Sequence, residues 1–393
     1  MSTAADAIAR AGYNIFNLLA EQIEIDLVSD VPARSPLAEI RDAYRNETVD
    51  LDAAARRLYG DWRFVFTTKG RAAELALSRA VIRSGMTVLT NGLFRTTHRS
   101  LTTQGAKVES VPKQVQVHGS SNVSLAWLAE RFAAGGVDAL FLEPSNNGTF
   151  GWPLQLDNLR AVKQACAQHG AKLFLDATRL MSNCAALGDA DLDVVREYLS
   201  LADAFVTSCA KECLVPMGAV IGMRDLEWQR QSFLNGFEEG SILEFQPMRA
   251  QLAAGFDTIR TRPSIITDRR RQLELLARLL RDAGIRTIEP IGAHAVFALL
   301  PAQEGDSPHR HHELQAHLFA RSGIRFLFGH HPEHPGFVVR IPLALATYQD
   351  SDLERIVRTL KIAVDASGEG PSLVPISSDS IHTQYFGRFA LRN

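Results

Sequence analysis

Short apolar runs alternate with helix-spaced stretches through the middle of this chain. Phe64-Val65-Phe66 reads as a strand running into Thr67-Thr68-Lys69-Gly70-Arg71, and an Ala/Leu-rich helical run follows to about Arg83. Residues 87–90 and 107–111 read as the next strands, and 137–142 as another before Pro144. A helical stretch over 157–169 leads to a strand over 172–175 that stops at Asp176; residues 204–207 and 219–222 complete the set. Short apolar strands joined by amphipathic helices predict a parallel or mixed sheet covered on both faces. Ligands of such sheets sit beyond the carboxyl ends of the strands, so the polar residues there are the candidates for chemistry.

The character changes after Pro263. Residues 268–283 carry Leu273, Leu275, Leu276, Leu279 and Leu280, a helical stripe closed by Gly284. Strands over 295–299 and 338–341 and a helix over 352–364 follow, which reads as a smaller α+β domain. Residues 366–380 are rich in Ser, Gly and Pro and read as a loop before a short Arg-bearing tail.

Composition narrows the function classes. The chain has 393 residues, 46% hydrophobic and 22% charged, with a formal net charge of -2. Near-neutral charge gives no reason to expect a nucleic-acid surface. No apolar run approaches the roughly 20 residues of a membrane span, and the N-terminus lacks a signal peptide's pattern, so the expectation is a soluble, cytoplasmic protein. Cys166, Cys184, Cys209 and Cys213 are too sparse for a disulfide framework and read as reduced thiols, with no metal site expected. Lysine occurs only at 69, 107, 113, 163, 172, 211 and 361, so a function needing an amine nucleophile has few candidates.

Asp176 ends one strand, in Leu-Asp-Ala-Thr-Arg, and Lys211 lies just beyond another, in Ser-Cys-Ala-Lys-Glu-Cys. This is the arrangement that holds pyridoxal phosphate in one large enzyme class. The amine bonds the aldehyde as a Schiff base, and the carboxylate keeps the pyridine nitrogen protonated so that the ring accepts electrons from Cα. A cation and a carboxylate 4 Å apart attract by about 4 kcal/mol at an effective dielectric near 20, enough to raise a pyridine pKa by a few units. Taken singly, each residue is more often an exposed lysine or a turn-forming aspartate.

The surrounding residues resemble the tryptophanase / tyrosine phenol-lyase family of β-eliminating lyases. The resemblance lies in Ala11–Asn14, Gly70–Glu74, Asn158–Val162, Asp176–Arg179, Lys211–Val215, Glu289-Pro290 and His294–Phe297, and it runs to Arg388-Phe389. It implies an α/β, PLP-dependent transferase-like fold (fold type I), with a large, mainly parallel sheet flanked by helices and a smaller α+β domain. The implied division is an N-terminal segment (1–37) packing with the small domain, a cofactor-binding domain (38–262) and a small domain (263–393). It also implies a homodimer or homotetramer, because the family's active site forms between subunits.

Residue by residue, the resemblance makes Lys211 the Schiff-base lysine, Asp176 the partner of the pyridine nitrogen, and Arg179 and Asn147 neighbours of the cofactor's phenolic oxygen. Phe94 matches the stacking aromatic, Lys69, Gly70 and Arg71 the phosphate loop, and Ser208 a phosphate-side hydroxyl. A glycine at a strand–helix junction suits an anion on physical grounds too. Arg340 is the candidate for the substrate carboxylate, from a position two residues beyond the family's arginine and on the same strand face. Tyr44 matches a general acid toward the leaving group. Each has a plainer reading: a turn for Asn147, core packing for Phe94 and Tyr44, a salt bridge for Arg340.

The departures bear on the substrate. Pro32 and Pro216 replace residues of the family's monovalent-cation site, and Ala210 replaces a second lysine. The arginine that recognises phenol falls at about Gly329, so phenol-lyase activity is not expected. Arg95, His330 and His331 bring cationic or titratable groups to the expected side-chain pocket. They point to β-elimination from an L-amino acid with a polar or anionic side chain. Transamination, aldol-type cleavage and β-replacement remain open on the same scaffold, as does a protein retained only for binding.

Overall fold

A computed structural model describes residues 3–43, 49–112, 115–301, 309–331, 334–365, 372–376 and 388–391. Tyr44 and most of the segment 366–380 lie outside them.

Seven strands form the larger sheet: β1 (Arg63–Thr67), β2 (Thr87–Thr90), β3 (Lys107–Ser110), β4 (Ala139–Leu142), β5 (Lys172–Asp176), β6 (Ala204–Ser208) and β7 (Ala219–Met223). Their order is β1-β7-β6-β5-β4-β2-β3, with only β7 antiparallel to its neighbours. Every residue of β2, β4 and β7 is buried. Both faces are covered, so these strands read as unbroken apolar runs rather than as alternation. Leu140, Leu142, Leu173, Leu175 and Phe205 enter one core. Phe141, Phe174, Val206 and Ile221 enter the other, beneath the helix Gly70–Val81.

The second sheet is antiparallel: β8 (Arg286–Thr287), β9 (Ala295–Leu300), β10 (Leu327–His331) and β11 (His334–Pro342), in the order β8-β9-β11-β10. One face, with Val296, Phe328, Val339 and Ile341, packs on the leucine stripe of a helix that runs Ser264–Asp282. That helix starts at Ser264, four residues before the stretch predicted from the sequence, because Pro263 caps it and Ile266 is already buried. The other face, with Ala295, Phe297 and Val338, packs on Phe150 and Trp152 beside the large sheet. This contact carries Arg340, paired with Phe297 and Leu327, to the ends of the large sheet's strands. Edge strand β10 has no counterpart in the sequence pattern, because Gly329-His330-His331 breaks the alternation.

The N-terminal segment is fastened to the second sheet's side. Ile25–Asp26 pairs in parallel with Ile324–Arg325, and Ala7 and Ile8 pack on Ala316 and Phe319. All four cysteines are free and buried. No described helix is long and apolar enough to cross a membrane.

Candidate active site

The site lies where the parallel strands end. β4 and β5 pair Leu142 with Leu175, so Glu143 and Asp176 are neighbours one step further on. Strand alternation turns both toward the face covered by helix Gly70–Val81, which carries the buried Glu74. Three carboxyls therefore converge at the carboxyl ends of these two central strands. Burial, reinforced by Asp176, pushes Glu143 up to about 8 and Glu74 up to about 7. Burial also raises Asp176, against the hydrogen bonds it accepts at Thr178 and the charges of Arg179 and Lys211. Glu74 accepts from Thr96 Oγ1 at 2.7 Å. Glu143 Oε1 accepts from Asn147 Nδ2 at 3.4 Å, while its Oε2 is buried with no hydrogen-bond partner among the described residues.

Lys211 belongs to the four-residue helix Cys209–Glu212 that follows β6 directly. Its Nζ donates to Ser29 Oγ at 2.7 Å and to Asp30 Oδ1 at 2.8 Å. Asp30, fully buried, also accepts a two-pronged contact from Arg179, Nε to Oδ2 at 2.8 Å and Nη2 to Oδ1 at 2.9 Å. Burial works against the charge on Asp30, but Arg179 and Lys211 outweigh it and hold the carboxyl well below its usual range. Burial, with Arg179 and Arg340 nearby, lowers the Lys211 amine despite Asp30.

Arg340 reaches the same place from β11. Nη1 donates to Asn147 Oδ1 at 3.2 Å and Nη2 to the Val28 carbonyl at 2.7 Å, while the buried Nε has no partner among the described residues. His294 Nε2 lies 3.1 Å from Asn147 Oδ1, and Nδ1 lies 3.3 Å from Ser145 Oγ. Burial and then Arg179 keep His294 neutral, well below its ordinary range. Asn147 is thus gripped by Glu143, Arg340 and His294 together.

At the other end of the site, helix Gly70–Val81 begins without a side-chain cap. A Cβ at Gly70 would stand 2.7 Å from Ser208 Cβ, so only glycine lets the helix start meet the end of β6. Lys69 and Arg71 are exposed there. Uncapped N–H groups, a serine and two cations suit a phosphate. Asp176 below, Lys211 beside it and Asn147 with Arg179 opposite complete a donor set that fits pyridoxal phosphate.

Phe94 caps the helix Arg95–Thr103 and is 40% exposed, with Arg95 exposed beside it. The loop before it is tied down by Asn146, which donates to the Asn91 carbonyl at 3.0 Å and to that of Gly92. His330 is placed elsewhere. Past an irregularity in the β10–β11 register its ring meets Phe337 and His311, on the helix-covered face of the small sheet and away from Arg340. The side chain of His331, like Tyr44, lies outside what is described. Asp30, Ser29, Glu143 and His294 were not among the sequence-derived candidates. His294 lay inside a family-like motif, whereas Asp30 carried no local signal.

Comparison with known proteins gives the family and the fold. A family model described as "Beta-eliminating lyase" matches residues 41–328. A tyrosine phenol-lyase of Symbiobacterium sp. is 29% identical, over 90% of this chain and 87% of its own length. A protein of Halobacterium salinarum named "Probable tryptophanase" is 26% identical over the same shares. Among solved structures, a threonine aldolase of Leishmania major superposes with a TM-score of 0.69 at 16% identity, covering 86% of this chain and 99% of that one.

Proposed function

The chain belongs to the β-eliminating lyase family and is a pyridoxal-phosphate-dependent lyase; from that premise we propose that it removes the Cα proton of an L-amino acid and expels a polar or anionic group from Cβ. The observation that carries this reading is the convergence of Lys211, Asp176 and Arg340 at one set of strand ends, the first two from the large sheet and the third from the small one. Bound there, pyridoxal phosphate supplies an electron sink for the charge left at Cα.

The rest falls to the chain's own side chains. Arg340 Nε, buried and unpartnered, leaves the guanidinium with capacity for a substrate carboxylate. Asn147 and the Val28 carbonyl hold that guanidinium in place, which fixes the angle of the substrate's Cα–H bond. Lys211, with an amine made less basic by burial, takes the Cα proton onto Nζ. Asp176 carries the negative charge that favours a protonated ring nitrogen. Arg71, Lys69, Ser208 and the N–H groups at Gly70 hold the phosphate, and Phe94 covers the ring. Tyr44 is the acid we assign to the leaving group, from its position in the sequence. Arg95, beside Phe94, is the cation that favours an anionic side chain.

The test is product analysis. Wild-type protein with pyridoxal phosphate, offered L-amino acids bearing polar and acidic β-substituents, should release pyruvate and ammonia in equal amounts. Glycine with an aldehyde, or turnover that requires an added keto acid, would refute elimination. Equal rates for wild type and Arg95→Ala would refute the anionic preference. The family also leads us to expect a homodimer or homotetramer, which light scattering in solution decides.

A further inference from the structure

The segment that brings Asp30 to Lys211 comes from far away in the chain and is anchored to the small sheet's side. Ile25–Asp26 pairs with Ile324–Arg325, Arg325 Nε donates to Asp26 Oδ1 at 3.0 Å, and Tyr348 Oη donates to the Asp26 carbonyl at 2.9 Å. Two residues on, the Val28 carbonyl accepts from Arg340. Ser29 and Asp30 then insert between Lys211 and Arg179, where Asp30 is fully buried while the Lys211 side chain remains 18% exposed.

We propose that Asp30 is the docking carboxylate of free Lys211, a positioning residue that holds the amine once it leaves the cofactor and stabilises the ammonium it becomes on taking a proton. The proton that Lys211 takes from Cα arrives on Nζ, 2.8 Å from Asp30 Oδ1, so the new positive charge forms beside a buried negative one. Ser29 Oγ accepts a second of the three ammonium hydrogens. The groups that set the charge here are Asp30, Arg179, Arg340 and Asp176, with His294 and Arg269 acting on Asp30 or Arg179 from the small domain's side. Two arginines repel the ammonium, and Asp30 is the carboxylate that touches it. Because Asp30 rides on the N-terminal segment, seating that segment against the small sheet and protonating Lys211 favour one another.

This inference rests on reading Lys211 as the reactive amine, yet it is tested without substrate, so a failure of the elimination reading would leave it standing. The full cofactor-free chain is treated with cyanate across a pH series, and carbamylation of the Lys211 peptide is followed by mass spectrometry. Asp30→Asn should lower the midpoint by about one pH unit or more, and raise the rate at pH 7 by about tenfold. Asp30→Glu should return the midpoint toward that of wild type. A folded Asp30→Asn protein whose midpoint stays within about 0.3 unit of wild type overturns the proposal. Should Asp30→Asn fail to fold with Arg179 left unpaired, Ser29→Ala decides: a lowered midpoint supports the proposal, and an unchanged one overturns it.

Discussion

Arg269, in the first helix after Pro263, donates from Nη2 to Glu212 Oε1 at 2.7 Å, and Glu212 is the residue next to Lys211. Both side chains are almost wholly buried, at 1% and 2% exposure. Glu212 also accepts from the N–H groups of Met181 at 2.9 Å and Ser182 at 3.0 Å, and from the Ser182 hydroxyl. One carboxylate therefore clamps the lysine's short helix to the start of the helix Leu180–Ala186 and to the helix Ser264–Asp282. Removing one partner of a buried pair strands the other. Arg269→Ala should cost about 3–5 kcal/mol, and Arg269→Met with Glu212→Gln clearly less than the single change. Urea unfolding of the two variants measures the difference.

Lys211→Ala should abolish the absorbance band near about 420 nm that the protein acquires with pyridoxal phosphate, since Lys69, the other described lysine at these strand ends, is exposed at the helix start assigned to the phosphate. Turnover should fall by at least about 10²–10⁴-fold, the range expected for loss of a positioned base. Added methylamine would test whether only an amine is missing. A spectrum unchanged by the substitution would move the cofactor bond to another lysine.

Glu143 yields a pH dependence of stability. Its pKa is about 8 in the folded chain against an ordinary 4.5, so between these values the folded state holds a proton that the unfolded state has lost. Stability contributed by this group is then full below about pH 4.5 and declines as pH rises toward 8, and Glu74, at about 7, adds in the same direction. Glu143→Gln keeps the shape without the titration. It should match wild type near pH 5 and exceed it by on the order of a few kcal/mol at pH 8. Thermal melts of both proteins across that range check it, and parallel Tm curves would refute it.

Arg340 is expected to act on binding more than on chemistry. Arg340→Ala removes a guanidinium that contacts Asn147 and the Val28 carbonyl and has one nitrogen to spare. A charged hydrogen-bond pair is worth about 1.5–3 kcal/mol, so kcat/KM should drop by roughly 10–150-fold, mostly through KM. Arg340→Lys should recover little, because a single ammonium cannot reproduce the fork. Steady-state kinetics on the best amino acid separates the two parameters.

What the sequence determined by itself was local. Continuous apolar strands, helix-spaced leucines after Pro263, and a carboxylate and a lysine at strand ends are properties of neighbouring residues, and they sufficed for an α/β sheet with a second, smaller unit and for the family. The predicted start at residue 268 falls four residues after the helix's start at Ser264, because the leucine stripe that signals the helix begins only at Leu273. Tertiary structure decided the rest. Asp30 meets Arg179 across 149 residues and Lys211 across 181, a closeness no periodicity encodes. Glu143 becomes Asp176's neighbour only through the register of two parallel strands. His330 sits in the strand beside Arg340's, yet it shares the face of Phe328, so its ring meets Phe337 on the helix-covered side, opposite Arg340. Charge and burial at a site depend on which distant segments close over it, and here those are the small sheet and the N-terminal segment paired beside it.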